Sequence, residues 1–233
     1  MSLSQRALLA GIGFVAFLMI VGAVWSRLTV TAGPQISGER STLTPALADF
    51  AGVEASGRWD LTVARGDTWR VELDVPLELV DRIEARVEDG RLVLGFEGWL
   101  GGCGDTDRCR MNAGITLPEL REVHLSGATT VDFSGFDGER LTIETSGASE
   151  IDGSASRYDE LDLTTSGAGD VDLDDVTVTN AEVSVSGAGS IALRMAGGRL
   201  TGGLSGAASL RYAGTVSEES VSTSGAASVR HAD

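Results

Sequence analysis

The step Ser-Gly-Ala stands at Ser126, Ser146, Ser166, Ser186, Ser205 and Ser224, with successive serines 20, 20, 20, 19 and 19 residues apart. A fixed period near twenty is the mark of a solenoid and outranks any local assignment. Aligning the copies on their serines sharpens the point. Five residues after the serine stand Val131, Ile151, Val171, Ile191, Leu210 and Val229, all branched aliphatics. Three residues before it stand Val123, Ile143, Leu163, Val183, Gly202 and Val221. A looser column, seven residues after, holds Phe133, Gly153, Leu173, Leu193, Tyr212 and His231. Odd offsets are apolar and the positions between them are mostly polar, which is the period-two pattern of strands.

Each unit therefore reads as one coil of short strands separated by bends. A single coil cannot bury its own aliphatic face, so coils must stack. The Ser-Gly-Ala step is the expected corner. Its glycine permits a backbone closed to other residues. Its alanine is expected to fill a tight interior, and its serine to hydrogen-bond along the stack to the serines above and below. Six coils about 4.8 Å apart would make a prism roughly 25–30 Å long. The expected fold class is all-β, a right-handed parallel β-helix, with regular repeats over about 119–233.

Ahead of the repeats the signals differ. Trp59, Leu61 and Val63 alternate with polar residues, as do Trp69, Val71, Leu73 and Val75. Ile83, Ala85 and Val87 lead into Asp89-Gly90, followed by Leu92 and Leu94. Asp-Gly between alternating runs is a hairpin signal. Residues 50–98 thus read as antiparallel strands, and 97–114 as an irregular stretch that caps the first coil. No segment after residue 30 carries a helical period.

The residues from Arg6 to Trp25 carry no charge after Arg6 and are long enough to cross a bilayer core, which takes roughly twenty residues. Two readings stand: a signal peptide cut after Ala23, or an uncleaved anchor with Trp25 and Arg27 at the far interface. Either takes the rest of the chain out of the cytoplasm. The expected organisation is an anchor or signal over 1–30, a linker over 31–48 and a β-helix domain over 49–233. An inner-membrane, single-pass placement facing the periplasm follows from the anchor, and a secreted one from cleavage.

The two cysteines, Cys103 and Cys109, lie six positions apart in a glycine-rich loop. In an oxidising compartment they read as a local disulfide, since two thiols without a nearby histidine supply too few ligands for zinc. The formal net charge is −16, and every basic residue is arginine. Such a surface repels phosphate backbones and disfavours nucleic acid as a partner.

The recurring SGAG, SGAS and SGAA steps, following a strand-rich opening with ASG at Ala55, resemble the bacterial DUF2807 family, the autotransporter adhesin head GIN domain. The resemblance runs from about Phe50 to the C-terminus. It implies an exported β-helix protein, often a lipoprotein or membrane-anchored. It carries no catalytic residues over, and no cysteine stands here at a lipoprotein cleavage site.

Candidate chemistry is sparse. Asp170, Asp172 and Asp174 alternate along one expected strand, so their carboxylates point to one face and form a calcium candidate. The competing reading is a solvated face, with Val171 and Leu173 turned inward. The serines Ser126, Ser146, Ser166, Ser186, Ser205 and Ser224 form a structural column, whereas a catalytic serine is singular. His124 and His231 lack local triad partners. The expected role is non-catalytic binding, adhesion or scaffolding toward an envelope polymer or protein, with self-association through an open C-terminal coil. A carbohydrate-active enzyme using the aspartates is the alternative, and an envelope sensor or partner domain is a third.

Overall fold

In the computed structural model, which describes residues 36–98 and 107–232, Val131 pairs in parallel register with Ile151, Ile151 with Val171, and Ile191 with Leu210. These five side chains are at most 2% exposed. Val229 pairs with Leu210 and closes the file, partly buried. The aliphatic column seen in the sequence is therefore one inner file of a β-solenoid of about six turns.

The repeats form β7 (Glu122–Ser134), β8 (Asp137–Ser154), β9 (Ser156–Ala196), β10 (Arg199–Thr215), β11 (Glu218–Gly225) and β12 (Ser228–Ala232). β7 pairs β8, β8 pairs β9, β9 pairs β10, and β10 pairs β11 and β12, all in parallel. The expected short strands are longer than their sequence pattern suggests. Pairing continues straight through the Ser-Gly-Ala step, so that Ser126 faces Ser146 and Gly127 faces Gly147. The glycine file explains why the bend needs no interruption. Gly147 has φ of 98°, and a Cβ there would lie 2.5 Å from the Gly127 carbonyl oxygen. Only glycine allows both the left-handed backbone and that close approach.

The looser column also has a physical reading. A Cβ on Gly153 would lie 2.5 Å from Phe133 Cζ and 2.6 Å from Leu173 Cδ2. The Phe133 ring fills the space that the missing side chain leaves. At the other end of the column Tyr212 and His231 stack, with centroids 4.7 Å apart and planes inclined by 10°.

The N-terminal part departs from expectation. Its strands are β1 (Arg40–Leu43), β2 (Gly52–Arg65), β3 (Arg70–Pro76), β4 (Ile83–Glu88), β5 (Arg91–Phe96) and β6 (Met111–Leu117). β2 is not antiparallel to its neighbours. It is a complete parallel turn of the solenoid, with Ser56 against Ser126, Gly57 against Gly127 and Leu61 against Val131. Arg58 stands where later copies have alanine. On the other side of β2, β5 pairs with Gly52–Ala55 and β6 with Trp59–Arg65, again in parallel. The later segments thus lie beneath an earlier turn, and β2 is flanked on both edges.

True antiparallel pairing is confined to the end of the stack. β4 and β5 form the expected hairpin, with Asp89 and Gly90 both at positive φ. β3 runs antiparallel on β6, and β1 antiparallel on β3. Two expectations are corrected here. The span 31–48 is not only a linker, because β1 lies within it and is held by an Arg40 Nε–Asp74 Oδ2 ion pair of 2.7 Å. The span 97–114 is not irregular to its end, because β6 begins at Met111.

Helical structure among the described residues is limited to two 3-10 turns, Leu77–Arg82 and Asp107–Cys109. None of it is long and apolar enough to cross a membrane. The candidate membrane segment over 1–30 lies outside the described residues.

Candidate functional site

The bend sets which side chains face out. From Leu125 to Thr129 the pattern is buried, exposed, exposed, exposed, buried. Serine and alanine face solvent as alternation has them, and the positive-φ glycine between them turns outward as well. This corrects one expectation: Ala128, Ala148, Ala168 and Ala188 are exposed rather than interior. The residue after the alanine turns inward instead, placing Thr129 and Ser149 in the core. With Thr145 and Thr165, they give the interior beneath the step a hydroxyl-bearing file.

The serine column is in register but is not a serine-to-serine ladder. The hydroxyl of Ser205 donates to the Val185 carbonyl of the preceding turn at 3.2 Å. Ser126, Ser146, Ser166, Ser186 and Ser224 stand exposed, where they make a row of small hydroxyl groups along the stack.

Two shallow grooves flank this row. One is lined by Glu54, Arg91, His124, Glu144 and the serines Ser126, Ser146 and Ser166. His124 bridges turns there, with Nδ1 3.2 Å from Glu144 and Nε2 3.6 Å from Glu122. Arg91 reaches Glu54 and Glu122 at 3.4 and 3.5 Å. The other groove has the exposed alanines as its floor, with Glu150, Asp170 and Arg110 at its margin.

The calcium candidates face out as expected, but their oxygens do not converge. Asp170 Oδ1 accepts from both the backbone N–H and the hydroxyl of Ser190, at 2.9 and 2.6 Å. Asp172 Oδ1 accepts from the backbone N–H of Asp174 at 3.0 Å. Asp174 Oδ2 pairs with Arg211 at 2.5 Å. The three carboxylates are thus committed to three different partners, and no acidic or sulfur–imidazole group among the described residues has the geometry to hold a metal.

The closer acidic juxtaposition runs across turns. Asp132 lies against Asp152, and Asp152 against Asp172. Partial burial pushes the Asp152 carboxyl up, and the charges of Asp132 and Asp172 push it further. Alignment of the repeats carried that signal at the position six residues after each serine.

Two tyrosines mark the interior and the last turns. Burial raises the Tyr158 hydroxyl well above its usual range, and it donates to the Leu120 carbonyl at 3.1 Å. Tyr212 donates to Glu219 Oε2 at 2.5 Å, and this bond together with burial pushes its pKa up to about 12. Cys109 is buried and is not a free thiol. Cys103 lies outside the described residues, so the bridge between them stays a proposal.

Fold and surface together define a β-solenoid protein whose outward columns are arrays of small, polar and charged side chains repeated from turn to turn. Residues 49–192 and 161–233 match the family described as "Putative auto-transporter adhesin, head GIN domain" (DUF2807). The chain belongs to that family. Two solved structures share the fold. One, titled a putative adhesin from Bacteroides fragilis NCTC 9343, is 18% identical with a TM-score of 0.65, covering 86% of this chain and 100% of its own. Another, titled a putative adhesin from Parabacteroides merdae ATCC 43184, is 16% identical with a TM-score of 0.50, covering 87% and 100%. No curated protein matches. The family supports an adhesion-type, non-catalytic role and an envelope-exposed or extracellular place for the chain.

Proposed function

We propose that this protein is an exported adhesion module that uses the side of its solenoid to bind an extended envelope polymer. One observation carries the reading. The serines from Ser56 to Ser224 recur in register on successive turns, all but Ser205 exposed, and are flanked by polar grooves. Turns about 4.8 Å apart present the same small hydroxyl group at a constant interval. A periodic row of this kind suits a periodic linear ligand, because each added turn repeats the same contact. Shallow, open grooves favour holding a chain along its length over enclosing a small molecule.

The supporting arrangement is a right-handed solenoid presented outside the cytoplasmic membrane, with residues 1–30 as anchor or cleaved signal and a Cys103–Cys109 bridge steadying the loop before β6. The last turn offers a second contact. Among the described residues β11 and β12 each have one strand neighbour, β10. An exposed strand edge can template pairing with a second chain.

The test is binding of the protein to isolated envelope polysaccharides and peptidoglycan fragments, read by calorimetry. Replacing Ser146 and Ser166 by bulky, uncharged Gln should weaken binding at least about tenfold, since each blocks one repeat of the row. Equal binding by that variant, or no binding to any polymer, would sink this assignment.

A further inference from the structure

The column six residues after each serine reads, turn by turn, Asp132, Asp152, Asp172, Ala192, Arg211 and Arg230. Register places these side chains in one file. Asp132 lies beside Asp152, Asp152 beside Asp172, Ala192 beside Arg211, and Arg211 beside Arg230. The file lies on an outward face, exposed at its five charged positions with Ala192 recessed to 9% exposure, and its middle and basic end line a shallow depression. One half of this face is acidic and the other basic, with a small alanine just past the boundary.

We propose that this face is the docking surface for a second copy of the same chain, packed face to face about a two-fold axis between Asp172 and Ala192. A two-fold contact places each residue of a patch against its mirror position in the patch's order. Reversing this file against itself sets Asp132 against Arg230 of the second copy, Asp152 against Arg211, and Asp172 against Ala192. Both charge pairings then occur twice, and no acid meets an acid. The centre of the contact is small, so two sheet faces can approach to the usual packing distance of about 10 Å. From Asp152 to Arg211 is three turns, about 14 Å along the stack, so both ends of the contact engage at once.

The charges within one copy point the same way. Stacked carboxylates one turn apart repel, and Asp132 and Asp152 make no hydrogen bond or ion pair among the described residues. Arg230 is exposed and likewise makes no ion pair there, while Arg211 is shared with Asp174. Unneutralised acid at one end and unneutralised base at the other leave a surface that a second copy satisfies. A basic protein would satisfy only the acidic half, and an anionic polymer only the basic half.

Sedimentation velocity of the full chain in detergent, at low salt and again in about 1 M salt where screening shortens to about 3 Å, reads the association. Two variants separate this surface from any other. Asp132→Arg with Asp152→Arg makes the file basic, and Arg211→Asp with Arg230→Asp makes it acidic. The expected result is a wild-type dimer that dissociates in high salt, two variants that are each monomeric, and a dimer restored by mixing them. Arg230→Glu alone, on an exposed side chain with no ion pair to lose, should weaken the dimer about tenfold without touching the fold. A wild-type monomer throughout would overturn the proposal. So would variants that dimerise as the wild type does, which would assign association to another surface such as the β11–β12 edge. Failure of the mixed variants to pair would also overturn it.

Discussion

The two ends of the solenoid solve the same problem in different ways. At the N-terminal end, β3 folds back antiparallel onto β6, β1 onto β3 and β4 onto β5, while Arg40–Asp74 ties β1 to β3 and Arg110–Asp60 ties the start of β6 to β2. At the C-terminal end, β11 and β12 lie on β10 in plain parallel register, and Val221 and Val229 are only partly buried. In the first region each strand is specified by its own turn chemistry and charges. In the second, each turn is specified by the turn before it. A repeat therefore propagates order but cannot end itself, and ending it takes chain that does not follow the repeat.

The sharpest way to break this contrast is to make the same change in both regions. Gly147 and Gly90 share a positive φ, but a Cβ on Gly147 would strike the Gly127 main chain, whereas nothing lies within 4 Å of one on Gly90. Gly147→Ala should cost about 3 kcal/mol or more in urea unfolding, combining backbone strain with a forced shift of two turns. Gly90→Ala carries the strain alone, about 1 kcal/mol. Equal costs would mean that the close stacking of the glycine file contributes nothing to stability.

A smaller effect tests whether each turn specifies the next. Gly153→Ala should cost about 1–3 kcal/mol, because its methyl group meets the Phe133 ring. Combining it with Phe133→Leu, which removes the obstructing ring atoms, should recover part of that loss in a double-mutant cycle. Purely additive losses would show that the two positions do not share one space.

The smallest effect concerns the stacked aspartates. The Asp152 pKa is raised in the folded chain, so its cost to stability is fully present above the folded value. It disappears as pH falls below the unfolded value near 3.8. Asp152→Asn should thus be slightly stabilising at neutral pH, and its advantage over the wild type should vanish in acid. A variant less stable than the wild type at pH 7 would contradict the cost of burying the carboxylate beside Asp132 and Asp172.

Much of the architecture is legible in the sequence. The file Val131, Ile151, Val171 and Ile191 emerged from spacing alone, because an interior that must be dry on every turn tolerates only aliphatic side chains at that position. The Asp89-Gly90 hairpin was equally plain. The first turn was hidden, since Arg58 replaces the alanine of the step and seventy residues separate Ser56 from Ser126. The alanines were expected inside because they are small, although their even offset from the serine turns them outward; only the left-handed glycine between them departs from alternation. Asp170, Asp172 and Asp174 were read along one strand, while the charges that act on one another sit a turn apart.

By itself, then, the chain's sequence determined the period, the inner file and the position of every bend in the repeats, because these depend on residue types recurring at a local interval. Only the tertiary structure decided that β5 and β6 lie beneath β2, and that β2 itself is a turn of the solenoid stacked on β7. Those outcomes depend on lateral hydrogen bonding between segments up to seventy residues apart, and main-chain pairing of that kind leaves no mark on which side chains the two segments carry.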